Sequence, residues 1–92
     1  MKTKEFLSEA IRLSGTDRQK DYGDKTKNHD NIARLWSAYL DVKIEAHDVA
    51  LMMVLLKMAR TKLGAVSKDT YIDMSAYSSI AGEIKFGGEK NE

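Results

Sequence analysis

Apolar and polar positions alternate along the chain in four stretches of helical periodicity, separated by polar segments. In the first, Phe6, Leu7, Ala10, Ile11 and Leu13 form a one-sided stripe, with Thr3 as a candidate N-cap and Gly15 as the closing residue. The second sets Ile32, Leu35, Trp36, Tyr39 and Leu40 at helical spacing behind a cap at Asn28 or Asp30, and Asp41-Val42-Lys43 turns out of it. The third contains Val49 to Leu56, eight consecutive apolar residues, too long a run for an ordinary strand and rich in Leu and Met. A helix from Ala46 to Leu63 would measure about 27 Å at 1.5 Å per residue. Its ends are signalled by Asp48 in the first turn, by Lys57, Arg60 and Lys62 in the last turns, and by Gly64 beyond them. The fourth, from Ala65 to Phe86, has Ser67 or Asp69 as its cap and carries Asp69, Asp73, Ala76, Tyr77, Ile80 and Ile84 on one broad face.

The third stretch governs the rest, because at about 100° per residue its apolar side chains leave no purely polar face. Such a helix is central in a core, crosses a membrane, or is shared with another subunit. Crossing is excluded by His47, Asp48, Lys57 and Arg60, which leave far fewer than the ~18 to 20 uninterrupted apolar residues required. A 92-residue chain offers little to wrap it, so burial completed by self-association is expected. Lys57 and Arg60 emerge from apolar surroundings and need water, a carboxylate or an anionic ligand. The short connection to the fourth helix predicts antiparallel packing that brings Asp69 or Asp73 to Arg60 or Lys57. The expected fold is all-α, a compact bundle of about four helices around a central apolar helix. One domain spans residues 1–86, a flexible charged tail follows at 87–92, and the assembly is oligomeric.

Charge and composition narrow the chemistry. Fifteen basic and fourteen acidic residues give a formal charge of +1, which disfavours a bulk-charge binder of duplex nucleic acid. The absence of cysteine excludes disulfides, thiolate metal sites and cysteine nucleophiles. The N-terminus lacks the apolar core and cleavage site of a signal peptide, so the protein is expected to stay in the cytosol where it is made, with no membrane partner. Between Gly15 and His29 the chain is nearly devoid of aliphatic side chains, and Arg18, Lys20, Lys25 and Lys27 surround Tyr22-Gly23. Gly23 would let backbone amides approach an anion and Tyr22 would stack on a base; the plain alternative is a solvated loop. Trp36 is explained by its stripe as a core residue, with stacking on a bound ring as the alternative. Neither His29 nor His47 lies in a triad context; His47 is expected to face solvent, and for His29 capping the helix or lining the site is only the lesser alternative.

The order DYGD (Asp21 to Asp24), Asn28 with IARLWSAYL (Ile32 to Leu40), DVALMMVLLKMARTK (Asp48 to Lys62), then Asp69 with YID and AY (Tyr71 to Asp73, Ala76-Tyr77) resembles a family of small helical proteins of unknown function, encoded mainly by phages and prophages. It is also similar to helical domains associated with phage nucleotide modification. The resemblance covers roughly Arg18 to Glu83. The recurring positions of that family map here to Arg18, Tyr22, Gly23, Asn28, Lys57, Arg60, Asp69 and Asp73. Proteins of this appearance suggest two classes: Mg²⁺-dependent nucleoside triphosphate pyrophosphohydrolases of the MazG kind, and oligomeric phage proteins that sequester cyclic or ADP-ribose-type nucleotide signals of host defence.

Counting carboxylates separates the two. Phosphoanhydride cleavage on Mg²⁺ needs several convergent hard oxygen ligands, and no E-x-x-E pair occurs on the third helix, where a Lys and an Arg stand instead. Asp69 and Asp73, spaced i, i+4, would hold one ion at most, whereas Arg18, Lys57, Arg60 and the Tyr22-Gly23 loop suit phosphate and Tyr77 or Trp36 suits a base. The expectation is therefore a nucleotide-binding, anti-defence protein that sequesters its ligand without cleaving it. Arg18, Tyr22, Gly23, Asn28, Lys57, Arg60, Asp69, Asp73 and Tyr77 form the binding set, with no catalytic residue, no metal ligand and no cofactor unless the Mg²⁺ hydrolase alternative holds. A structural oligomer or adaptor is the remaining class.

Overall fold

The computed structural model describes residues 1–14, 24–64 and 67–87. Among these the chain is all-helical, with α1 at Thr3–Arg12, α2 at Lys25–Leu40, α3 at Ala46–Lys62 and α4 at Lys68–Phe86. The expected tail lies outside the described residues from 88 onward.

Local side-chain chemistry fixes most helix ends. Glu5 accepts a hydrogen bond from the Lys2 backbone N–H at 2.9 Å, so Lys2 is the cap of α1 and Thr3 is its first helical residue. The second helix starts earlier than its apolar stripe indicates. Asp24 Oδ1 accepts from the N–H groups of Thr26 and Lys27 at 2.8 and 3.2 Å, which draws Lys25 to His29 into α2 and replaces Asn28 or Asp30 as the cap. Asp41 ends α2 in the left-handed region (φ 56°, ψ 40°), a conformation that aspartate tolerates better than most residues. Ser37 then clamps the connection: its Oγ accepts from Ile44 N–H at 2.8 Å and donates to Ile44 C=O at 3.1 Å. Asp48 reaches back to the Glu45 N–H at 3.0 Å and caps α3. Gly64 follows α3 with φ +84°, and Ser67 accepts from Asp69 N–H at 3.2 Å to start α4.

The helices pack in a chain of contacts, α1 on α4, α4 on α3, and α3 on α2. Their interior is built from small side chains. Of the seven buried apolar residues among those described, five are alanines (Ala10, Ala33, Ala50, Ala76 and Ala81), joined by Val49 and Ile72. Alanine at a contact lets two helix axes approach closely, toward the short end of the usual 8–10 Å separation, but each removes little apolar area from water. Phe6 and Leu13 of α1 close over Ala10, Ile72 and Ala76, and the Phe6 ring meets Tyr71 edge-on with centroids 6.5 Å apart. Several longer aliphatic side chains of α3 stay outside: Leu51, Leu55, Leu56 and Met58 are all exposed in the single chain.

Between α3 and α4 one polar contact is drawn into this seam. Lys57 Nζ lies 3.0 Å from Asp73 Oδ2, with both side chains only 15% exposed. The expected antiparallel meeting of cation and carboxylate is realised here by this pair alone. Of the other combinations, Arg60 and Asp69 are both exposed.

Two stability predictions follow from this packing. Asp73→Ala leaves the Lys57 ammonium without its partner in a mostly dry seam and should cost about 1–3 kcal/mol in urea unfolding. Lys57→Met combined with Asp73→Leu should recover most of that loss, whereas strictly additive losses would show that the two groups are not coupled. Gly64→Ala should lower stability by about 1 kcal/mol through the left-handed backbone alone, because the added methyl meets no atom within 4 Å; an unchanged urea midpoint would contradict this.

Candidate functional site

The α3–α4 seam carries five of the nine residues singled out in the sequence. Lys57 and Asp73 form its centre, paired at 3.0 Å. In antiparallel helices each step toward the C-terminus of α3 is matched by one toward the N-terminus of α4, so Arg60 lies level with Thr70, and Asp69 level with Thr61. Both charged residues therefore stand at the Gly64 end of the hairpin, one turn beyond the buried pair, and both are exposed. Arg60 has no ion-pair partner among the described residues. Tyr77, one turn along α4 on the other side of Asp73 and within about 40° of it around the helix, is half-buried. The result is a line of Tyr77, the Lys57–Asp73 pair and Arg60: an aromatic ring with a phenol, a cation held in place by a carboxylate, and a free guanidinium.

Asn28 is placed elsewhere. It is exposed on the first turn of α2, and Lys25 at the head of that turn lies 3.4 Å from Glu83. Glu83 is ten residues along α4 from Asp73, about 15 Å at 1.5 Å per residue. That ion pair ties the start of α2 to the C-terminal half of α4, away from Arg60 and Asp69. Arg18, Tyr22 and Gly23 lie outside the described residues.

Neither histidine is exposed. His29 is buried, and its Nδ1 donates to the Lys25 carbonyl at 2.7 Å, which makes Nδ1 the protonated nitrogen and leaves Nε2 as the acceptor in the neutral ring. Its role is to fill the inner face of α2 beside Ala33, four residues on. His47 is half-buried rather than solvent-facing, with Nε2 3.5 Å from Asp48 Oδ1, because the Asp48 side chain folds back to cap α3. Trp36 is half-buried on α2.

Two features were not anticipated from sequence. The Lys25–Glu83 pair joins residues 58 positions apart, and nothing local marks either one. The Ser37 clamp borders an open depression of about 530 Å³ where α2 turns into α3, lined by Asp30, Arg34, Asp41 and Lys43 among others. Arg34 and Asp30 pair across one helical turn at 3.6 Å there, so the depression carries both signs and no preference for an anion. The carboxyl of Glu9 is held below the usual range by the hydrogen bond and charge of Arg12, on the surface of α1 and outside the candidate set. Among the described residues no three His, Asp or Glu side chains converge in a way that would hold a metal ion, and no helix is long and apolar enough to cross a membrane.

Comparison with known proteins agrees with the resemblance to a phage family of unknown function. The chain is 40% identical over 76 residues to the Gene 55 protein of Mycobacterium phage L5, covering 82% of this chain and 49% of the relative. It is 39% identical over 79 residues to the Gene 55 protein of Mycobacterium phage D29, covering 86% of this chain and 52% of the relative. The chain thus spans about half the length of the curated relatives it matches. No solved structure gives a significant match. The family described as "Domain of unknown function (DUF6378)" matches residues 5–85, nearly the whole chain, and the protein therefore belongs to that family of unknown function, whose relatives here are phage proteins.

Proposed function

We propose that the protein is a phage-encoded nucleotide-binding protein that sequesters a small cyclic or ADP-ribose-type signal of host antiviral defence in the bacterial cytosol, without cleaving it. The observation that carries this reading is the exposed Arg60 guanidinium, one turn from an ammonium that Asp73 holds in the α3–α4 seam. A guanidinium in water next to a positioned cation offers a fork of donors to a phosphate or pyrophosphate. Asp73 has a double part: it satisfies Lys57 and fixes the direction of its remaining N–H donors. Tyr77 provides a face for a base, and the exposed Asp69 an acceptor for ribose hydroxyls. Arg18, Tyr22 and Gly23, outside the described residues, belong to the same reading as further ligand contacts, and Asn28 contributes only if the ligand or a second subunit bridges to α2. Self-association of the chain belongs to the same proposal.

Mg²⁺-dependent pyrophosphohydrolysis is the competing reading. It would require Asp73 to leave Lys57 and join Asp69 on the ion, with further oxygen ligands from outside the described residues.

The test is incubation of the purified chain with nucleoside triphosphates, cyclic dinucleotides and cyclic ADP-ribose isomers in the presence of Mg²⁺, followed by denaturation and chromatography. Depletion of one compound from free solution and its intact release on denaturation is the expected result. A monophosphate or an opened ring would establish hydrolysis, and no depletion of any compound would exclude both. Arg60→Ala should weaken binding of the depleted compound at least about tenfold, the loss of a charge-assisted contact, with unchanged circular dichroism and melting. Unaltered affinity in that variant would remove Arg60 from the site.

A further inference from the structure

The exposed side of α3 has an internal order that packing within one chain does not explain. At about 100° per residue, Asp48, Leu51, Met52, Leu55, Met58, Ala59 and Lys62 fall within an arc of about 120°. Every one of these is exposed except Asp48, whose side chain is still 42% accessible, and Leu55 near the centre of the arc is 61% exposed. Through Asp48, Leu51, Leu55, Met58 and Lys62 the spacing alternates three and four residues, as in helices that pair lengthwise. Between the first and last of them there is no charge on the arc. The two charges that bound it are opposite, Asp48 and Lys62, and each stands seven residues from Leu55.

We infer that this arc is the interface with a second copy of the chain, the two α3 helices running antiparallel with Leu55 at the two-fold axis. In an isologous pairing each residue faces the one equally far on the other side of the axis residue. Leu55 then meets the partner's Leu55, Met52 meets the partner's Met58, Leu51 packs over the partner's Ala59, and Asp48 lies opposite the partner's Lys62. Large faces small at one level, and opposite charges meet at both ends. A parallel pairing would set Asp48 against Asp48 and Lys62 against Lys62, so charge selects the antiparallel form. The composition of the interior leaves apolar area to be covered: five of the seven buried apolar residues among those described are alanines, and Leu51, Met52, Leu55 and Met58 of this arc are among the large apolar side chains that stay exposed.

The inference does not depend on nucleotide binding. Arg60 and Lys57 are turned about 140° or more from Leu55 around the helix, so the candidate site remains open in the pair.

The chain contains no cysteine, which makes a single introduced thiol an unambiguous reporter. Helix axes 8–10 Å apart bring facing Cα atoms to about 3.4–5.4 Å, overlapping the range a disulfide spans. Light scattering should give a dimer for the full chain at about 100 µM, and Leu55→Cys should convert to a covalent dimer on oxidation. Leu51→Cys or Leu56→Cys should cross-link poorly alone, whereas Met52→Cys mixed with Met58→Cys should cross-link well. Leu55→Arg, which sets two guanidinium groups face to face, should weaken dimerisation at least about 100-fold with unchanged helical circular dichroism. A monomer at that concentration would overturn the proposal and leave the face to another occupant, such as the additional segment of the longer relatives. A dimer that tolerates Leu55→Arg, or that cross-links through residue 56 better than through residue 55, would overturn the register.

Discussion

The constraint on which the rest of the structure depends is the close antiparallel approach of α3 and α4. The buried residues of these two helices, 17 and 19 residues long, are Val49, Ala50, Thr70, Ile72, Ala76 and Ala81, none larger than isoleucine, and the close approach has two consequences. It strips water from Lys57 and Asp73, whose charges at 3.0 Å are then held by each other rather than by solvent. It also narrows the interior, which takes Val49 and Ala50 of α3 fully while Leu51, Met52, Leu55 and Met58 stay exposed on the outer side of the helix.

Much of this architecture is legible in the sequence because helix ends and helix faces are written locally. Gly64 after a cationic last turn, Ser67 before α4 and Asp48 at the head of α3 each announce a boundary through chemistry that operates within four residues. The start of α2 shows the limit of such reading. Asp24, Asn28 and Asp30 are all good caps within seven positions, and the apolar stripe favours the later two; the cap that forms is the one that also lets His29 and Ala33 turn inward together. Whether a histidine is buried depends on what lies across from it, and no local signal carries that.

The candidate site was legible to the same degree. The short connection after α3 requires a carboxylate of α4 to come near Lys57 or Arg60, but sequence spacing does not choose among the possible pairs. The choice follows from depth: Asp73 is a full turn further from the Gly64 end than Asp69, and Lys57 is nearly a turn further than Arg60, so the inner two meet where water is scarce and the outer two remain at the exposed end. The distant Lys25–Glu83 contact had no such route to discovery, since it depends on how α2 crosses the hairpin.

A single helix thus presents three surfaces with different chemistry. The side of α3 toward α4 is small and holds one ion pair, its C-terminal edge carries a guanidinium free of carboxylate partners among the described residues, and its outer arc is apolar between opposite charges. Each surface constrains the others. Enlarging the interior to absorb Leu55 or Met58 would push α4 away and open the Lys57–Asp73 seam to water, and moving the apolar arc toward Arg60 would cover the guanidinium. The run of hydrophobic residues in α3, which suggests a central core helix when the sequence is read alone, divides in the folded chain between a buried part at Val49 and Ala50 and an exposed part at Leu51, Met52, Leu55 and Met58.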